Sequence, residues 1–360
     1  VSTEHPRGTP VRTTFSGALR PTAALATALA LVTLAACSTD TPGGSTSPTS
    51  AGTSAAATTF PVTIEHAFGE TVVEKQPTRV AAISWANQDA AIALGVVPAA
   101  MPFASYGGDA DGYLPWTLAA LEALGGEAPA LLDEADGLDF EGIATAAPDL
   151  ILGTYSGITQ EDYDKLSKVA PTVAYPEVAW GTSWRDQLTT AGKVLGKVTE
   201  AAQVTKDVEA KLASALDDAP ELEGKTFAYL WFNSADPSSV TYYTTSDARV
   251  AFVESLGLKS APKIAELSKS NDEFFGTISA ELVDEIDADV VLAYVDSKEH
   301  LDAVKADKLL GKIPAIASGA VVALDDPTFI LSTSAPSPLS VPWAVDQYVP
   351  AIKEALASAK

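Results

Sequence analysis

Apolar and polar residues change period several times along this chain, and each change marks an element. "FPVTIEHAFGETVVEKQP" (60–77) alternates on both sides of Phe68-Gly69-Glu70, the pattern of a β-hairpin. "RVAAIS" (79–84) is a continuous apolar run that predicts a buried strand, "NQDAAIALGV" (87–96) has helical spacing, and "VPAAM" (97–101) is strand-like again. "DFEGIATAAPDLILG" (139–153) predicts a helix stopped by Pro148 and then a strand, and "QEDYDKLSKVAPTVAY" (160–175) repeats the order around Pro171. Strands alternating with helices predict an α/β fold with a parallel sheet covered on both faces.

From Ser183 to Asp218 the rhythm is helical without interruption, with Leu188, Ala191, Leu195, Val198, Ala202, Val208, Leu212 and Leu216 three to four residues apart or on multiples of that spacing. Ser183 with Asp186 resembles a capping box and Pro220 is a stop, so one long helix is expected over 183–218. "KTFAYLWF" (225–232), "ADVVLAYV" (288–295) and "AVVAL" (320–324) then predict strands of a second α/β lobe. The expected division is a first lobe over 60–182, the helix, and a second lobe over 219–360.

The two lobes echo each other. "EGIATAAPDLIL" places Glu141 eight residues before Asp149, and "ELVDEIDADVVL" places Glu281 eight residues before Asp289. Both read as a helix opening on an acid, a short turn, then Asp and an apolar strand. Duplication explains the match, and so does the resemblance of one helix-to-strand junction to another.

Composition allows one or two ordinary cores: 360 residues, 47% hydrophobic and 19% charged. The first 36 residues are of another kind. Arg7, Arg12 and Arg20 face a single acid, Glu4, and "PTAALATALALVTLAA" (21–36) is uncharged and ends in small residues, the pattern of a secretory signal. Leu34-Ala35-Ala36-Cys37 looks like a bacterial lipobox, which makes Cys37, the lone cysteine, a site of lipidation; an ordinary signal cleaved before a cysteine is the alternative. The Ser/Thr/Gly/Pro/Ala composition through residue 59 reads as a flexible tether. The 23 basic and 47 acidic residues give a net charge of −24; without residues 1–36 these become 20 and 46, a net of −26, which disfavours nucleic acid as a partner. His66 and His300 are then the remaining histidines, far apart, so neither a metal site nor a nucleophile-and-base pair is easy to assemble. GxSxG, GxxxxGK[ST], HExxH and a GxGxxG after a strand are all missing.

Aromatic side chains are better placed for function. Trp85, Tyr155 and Trp180 follow predicted strands of the first lobe, with Tyr106 beyond "VPAAM". Trp231 ends a strand of the second, and Tyr243, Arg249, Phe274 and Phe275 lie in or near the loops after it. Open α/β sheets bind ligands at that edge, so these rings define either core packing or an aromatic cleft. Arg185 and Arg249 start helices beside that edge and are either ligand contacts or ion-paired.

"PTRVAAIS", "FEGIATAAPDLILG", "DYDKLSKVAPTVAY", "GTSWRDQL" and "SDARVAFVESLGL" resemble iron-siderophore-binding lipoproteins of ABC importers, from about Phe60 almost to the C-terminus. The resemblance implies two Rossmann-like lobes joined by one rigid helix and a ligand cleft between them. It implies a ferric siderophore as ligand, with the iron held by the chelator and no cofactor or protein metal ligand. It further implies delivery to a two-subunit membrane permease with its ATPase, by a monomer anchored through lipid on the extracytoplasmic face of the cell membrane. Surface glutamates, one per lobe, meet such a permease, which nominates Glu141 and Glu281. Few cations face many acids here, so a hydroxamate is expected over a polyanionic catecholate. Haem or cobalamin is the alternative ligand, through Tyr242, Tyr243 or His300. An exported α/β enzyme is the alternative class.

Overall fold

The computed structural model describes residues 58–271 and 273–359. The expected signal segment, Cys37 and nearly all of the tether lie outside the described residues.

The hairpin forms as expected from β1 (Val62–His66) and β2 (Gly69–Val73), with His66 opposite Gly69. It docks on the first lobe through the Ala67 N–H to the Tyr175 carbonyl (3.0 Å) and the Thr71 hydroxyl to the Thr172 carbonyl (2.6 Å). In that lobe come β3 (Val80–Ala82), α1 (Asn87–Ala93), β4 (Ala100–Pro102), α2 (Pro115–Leu124), β5 (Ala130–Leu132), α3 (Phe140–Thr145), β6 (Leu150–Gly153), α4 (Gln160–Leu166) and β7 (Thr172–Ala174). The strands pair in parallel in the order β5-β4-β3-β6-β7. β3, β6 and β7 are buried at every residue, which is why they read as unbroken apolar runs.

The expected single long helix is two helices, α5 (Trp184–Val194) and α6 (Val198–Asp218). Gly196 takes φ +70, and the N–H groups of Gly196 and Lys197 turn back to the carbonyls of Lys193 and Gly192 (3.3 and 2.7 Å), a Schellman stop. The chain then doubles back closely enough that a Cβ on Gly192 would collide with Ala201. The restart shifts the helical phase. Ala201, Val208 and Leu212 are buried, whereas Val198 and Ala202 of the expected stripe are exposed. Ser183 caps α5 as expected, accepting from the Asp186 N–H at 3.2 Å.

The second lobe holds β8 (Thr226–Trp231), β9 (Ser239–Tyr243), α7 (Ala248–Ser255), β10 (Lys259–Ser260), α8 (Pro262–Ser268), β11 (Phe275–Ser279), β12 (Val290–Tyr294), α9 (Lys298–Ala306), α10 (Pro314–Ser318), β13 (Val321–Leu324), α11 (Pro327–Ser334) and α12 (Ser340–Ser358). Its sheet runs β11-β9-β8-β12-β13 with β10 beside the start of β8; β9 and β11 are antiparallel additions to a parallel core.

One hydrophobic cluster runs from the first sheet (Leu150, Leu152, Val173) through Leu188, Val208 and Leu212 of the two connecting helices to Tyr348 of α12 and Phe227 and Leu292 of the second sheet. The C-terminal segment adds a second seam. Tyr155 donates to the Ser334 carbonyl (3.0 Å), Gln187 to that of Pro336 (3.3 Å), and the Ser337 hydroxyl to Asp89 (2.6 Å). The lobes are therefore held together twice, by α5–α6 and by α11–α12.

The internal echo has a structural meaning. Asp149 accepts from the backbone and hydroxyl of Thr78 and from the Arg79 N–H; Asp289 accepts from the backbone and hydroxyl of Thr226 and from Lys225. Each clasps the start of the neighbouring strand in its own lobe. Burial acts to raise both carboxyl pKa values, and these donors more than offset it, so both lie below the ordinary value. Burial along 141–150 and 281–290 matches at every position except 142 against 282. The helical parts differ: Glu141 opens α3, whereas Glu281 lies in a 3₁₀ turn over Ala280–Glu285 and not in an α-helix.

Candidate ligand cleft

All five parallel strands of the first lobe deliver a side chain at their C-terminal ends: β3 leads to Trp85, β4 to Tyr106, β5 to Glu134, β6 to Tyr155 and β7 to Trp180. Asn87 ties two of these loops together. Its amide donates to the carbonyls of Ile83 (2.7 Å) and Tyr155 (2.9 Å), and its oxygen accepts from the Thr154 hydroxyl (2.8 Å) and Tyr155 N–H (3.0 Å). Trp85 thereby sits on a loop whose flanking residues are both left-handed, Ser84 at φ 58 and Ala86 at φ 67, and Trp180 itself has φ 61. Such conformations persist only where the surroundings impose them, and here the imposed result is a pair of half-exposed indoles.

Trp85 and Trp180 are 48% and 47% exposed and lie 6.2 Å apart between ring centroids. Trp180 packs edge-on against the buried Tyr155 at 5.5 Å. Gly157 lies under the Trp180 indole with no room for a Cβ, which is the reason for glycine there.

The second lobe answers with charge. Arg249, at the start of α7, makes two bonds to Asp247 (Nε to Oδ1 2.8 Å, Nη2 to Oδ2 2.6 Å), stacks over Tyr243 at 3.8 Å and reaches toward Phe274 at 6.0 Å. Burial works to lower the arginine's pKa and the Asp247 carboxylate outweighs it, fixing the positive charge. Phe274 and Phe275 form an exposed edge-to-face pair at 5.0 Å. Trp231, half-buried at the end of β8, lies beside Tyr294 in the β8–β12 register.

The two sets meet. The hydroxyls of Tyr106 and Tyr294 are 2.8 Å apart across the lobes. The Tyr155 phenol is pushed up to about 12, first by burial, with Arg249 lowering it and Asp247 raising it, so the second lobe's charge pair acts on a first-lobe ring. Of the ten residues expected from the sequence to face a ligand, nine lie in these two groups, and two of the nine, Tyr155 and Tyr243, are buried. Arg185 does not: it pairs with Glu209 of α6 at 2.9 Å and stacks on Trp184 at 4.4 Å, so α5–α6 packing engages it. Glu141 and Glu281 are both exposed.

Other candidates for an iron ligand are occupied. Tyr242 is buried in the second-lobe core, Tyr243 is covered by Arg249, and His300 Nδ1 accepts from the Asp296 N–H at 3.2 Å. Among the described residues, no three His, Cys, Asp or Glu side chains come together.

Sequence reasoning missed Asn87, Glu134 and Tyr294. Asn87 opening a helix two residues after a strand-end tryptophan was the available signal; Glu134 stands in an acidic loop, "DEADGLD", with nothing to distinguish it.

Two α/β lobes, fastened twice, with aromatic strand-end loops of one meeting the tyrosines and arginine of the other through Tyr106 and Tyr294, have the build of a two-lobed binding protein. The chain belongs to the periplasmic binding protein family, whose model matches residues 80–328. This is the family class expected above, and its members are substrate-binding proteins of importers, not enzymes. It is similar to the PiaA protein of Streptococcus pneumoniae TIGR4 solved with ferrichrome: 42% identity, 83% of this chain and 99% of that one, TM-score 0.75. It is also similar to a periplasmic solute binding protein of Mycobacterium smegmatis (30%, 82% and 98%, TM-score 0.67). A curated relative, the ferric enterobactin-binding periplasmic protein FepB of Escherichia coli O6:H1, is 26% identical over 200 residues, 53% of this chain and 61% of the relative. The chain thus spans about three fifths of that relative's length.

Proposed function

We propose that the protein captures a ferric siderophore, a hydroxamate in preference to a catecholate, and hands it to an ABC permease for iron uptake. The observation that supports this most is the cleft: Trp85, Trp180, Tyr106 and Phe274 give flat apolar walls, and Arg249, already neutralised by Asp247, is the cation at its edge. A tris-catecholate carrying several negative charges calls for several convergent free cations. A neutral or cationic ferric hydroxamate needs surface contact and a few hydrogen bonds. Ferrichrome, bound by the 42% identical PiaA, is a neutral ferric trihydroxamate, whereas the 26% identical relative is named for enterobactin, a catecholate. The iron is cargo, held by the chelator. Titrating residues 38–360 with ferric trihydroxamates, a ferric tris-catecholate, ferric citrate, haem and cobalamin, and following tryptophan fluorescence, tests this. Quenching by hydroxamates at the lowest concentrations is expected; tight binding of the catecholate or haem alone overturns it.

Delivery is read from Glu141 and Glu281. Both are exposed on matched segments of the two lobes, as one handle per permease subunit requires, although an exposed acid near a helix start is equally at home as a weak dipole contact. Reversing both to Arg should leave ligand affinity intact and abolish uptake by cells; uptake that persists removes them from the docking surface. Anchoring is read from Cys37 in the lipobox-like stretch: Cys37→Ser should release the protein from the membrane fraction, and unchanged fractionation overturns it.

A further inference from the structure

Behind the first-lobe wall of the cleft lies a small recess of about 80 Å³, open to solvent on one side and lined by Ser84, Trp85, Gln88, Tyr106, Trp116 and Glu134 among others. Its chemistry is lopsided. Gln88 Oε1 and Glu134 Oε1 are both shut off from solvent without a hydrogen-bond partner. The other Glu134 oxygen accepts from the Ser84 N–H at 2.9 Å, which holds the carboxylate in place and helps fix the left-handed Ser84 that turns Trp85 outward. Asp89, also on the lining, is already satisfied by Trp116, Thr117 and Ser337. The recess therefore offers acceptors in excess and no cationic side chain. A buried acceptor without a donor costs free energy that an incoming N–H recovers.

We propose that this recess is a subsite for a positively charged arm of the ligand, a primary ammonium, with Glu134 as its counter-ion. The inference rests on the hydroxamate reading above, because linear ferric trihydroxamates are the siderophores whose chain can end in an amine while the three hydroxamates enclose the iron. An ammonium has three donors and no acceptor, the complement of a lining that carries two unpartnered acceptors, Glu134 Oε1 and Gln88 Oε1. The apolar sides, Trp85 and Trp116, suit the methylene stem that would carry it. Burial, with repulsion from Asp139 also raising it and the Ser84 N–H lowering it, pushes the Glu134 carboxyl up to about 7, so the test belongs at pH 8, where it is ionised.

The experiment compares one chelate in two forms: the iron complex of a linear trihydroxamate ending in a primary ammonium, and the same complex N-acetylated. Wild type should bind the ammonium form about ten- to a hundredfold more tightly, the range for a charge-assisted hydrogen bond. Glu134→Gln should bring the two within about threefold by weakening the ammonium form alone, and Glu134→Asp, which keeps the charge on a shorter arm, should give an intermediate ratio. The wild-type ratio needs no variant to fold: a ratio near one overturns the subsite while leaving the hydroxamate reading standing. A preference that Glu134→Gln leaves unchanged also overturns it. If neither form binds, the hydroxamate reading falls and this inference with it.

Discussion

The two walls of the cleft are built by opposite means. The first lobe presents half-exposed indoles on a backbone forced into left-handed turns at Ser84, Ala86 and Trp180, and the charged groups lining its recess, Asp89 and Glu134, are carboxyls. The second lobe keeps a relaxed backbone, with no positive φ outside glycine among its described residues, and invests in a buried ion pair, Arg249 with Asp247, stacked on Tyr243. Strain sets the direction of an apolar surface; an ion pair sets a charge. A ligand with an apolar periphery and little net charge can use both walls, which is how the asymmetry bears on specificity.

The comparison predicts that the walls fail differently. Asp247 has 4% of its side chain exposed, so Arg249→Met strands a buried carboxylate and should lower stability by about 3 kcal/mol or more, as well as weakening ligand binding. Adding Asp247→Asn should restore much of the stability without restoring affinity. Trp85→Ala, on the other wall, removes a half-exposed ring and should change stability by less than about 1 kcal/mol while still costing affinity. Thermal unfolding of the four proteins checks this. Equal stability losses for Arg249→Met and Trp85→Ala would erase the distinction.

The seam between the walls has its own pH signature. Asp89 is wholly buried, and burial, opposed by the hydrogen bonds from Ser337, Thr117 and Trp116, raises its pKa from 3.8 to about 6. A carboxyl whose folded pKa is raised contributes stability that is complete below about pH 4 and is lost as pH rises through about 6. Asp89→Asn removes that loss, whatever constant offset the substitution adds. The stability of the variant relative to wild type should climb by about 2–3 kcal/mol between pH 4 and pH 7 and then level off. Parallel unfolding curves across that range would mean the carboxyl does not titrate there.

Much of this architecture was written in periodicity. The short strands β3, β6 and β7, wholly buried, and β12, buried up to Tyr294, stand out as apolar runs because both faces are covered, and the hairpin stands out because it is covered on one. The Schellman stop at Gly196 was not legible. "GKVLGKVTE" keeps helical spacing on both sides of the break, and a glycine inside such a pattern is compatible with either outcome. In the cleft, residues at strand ends could be foreseen because topology puts them there. Arg185 could not be told from Arg249, since each is the second residue of a helix behind a short polar cap, Ser183 or Asp247: what separates them is Glu209 on a neighbouring helix in one case and Asp247 itself in the other. Asp247 was in plain view, but side-chain pairing with a residue so near in sequence depends on the turn between them.

The smallest expected effect tests how far the two lobes share one design. In the first, Ala147 follows the end of α3 and takes φ 45, the left-handed position where helices stop, with its N–H on the Ala144 carbonyl at 3.0 Å. Pro148 comes next and has no N–H to complete a Schellman pair, so the left-handed alanine lacks the second bond that usually accompanies such a stop. In the second lobe the matching residue is Asp287, which has no left-handed φ because its segment ends in a 3₁₀ turn. Ala147 is exposed, so glycine there forfeits no packing and relieves the backbone: Ala147→Gly should stabilise by about 0.5–1 kcal/mol. Asp287→Gly gains no such relief and pays the added freedom of the unfolded chain, so it should destabilise by a few tenths of a kcal/mol or more. Opposite signs in denaturant unfolding are the expected result. If both glycines destabilise, Ala147 is not strained, and the echo between the lobes extends from the Asp clasp into the turn that precedes it.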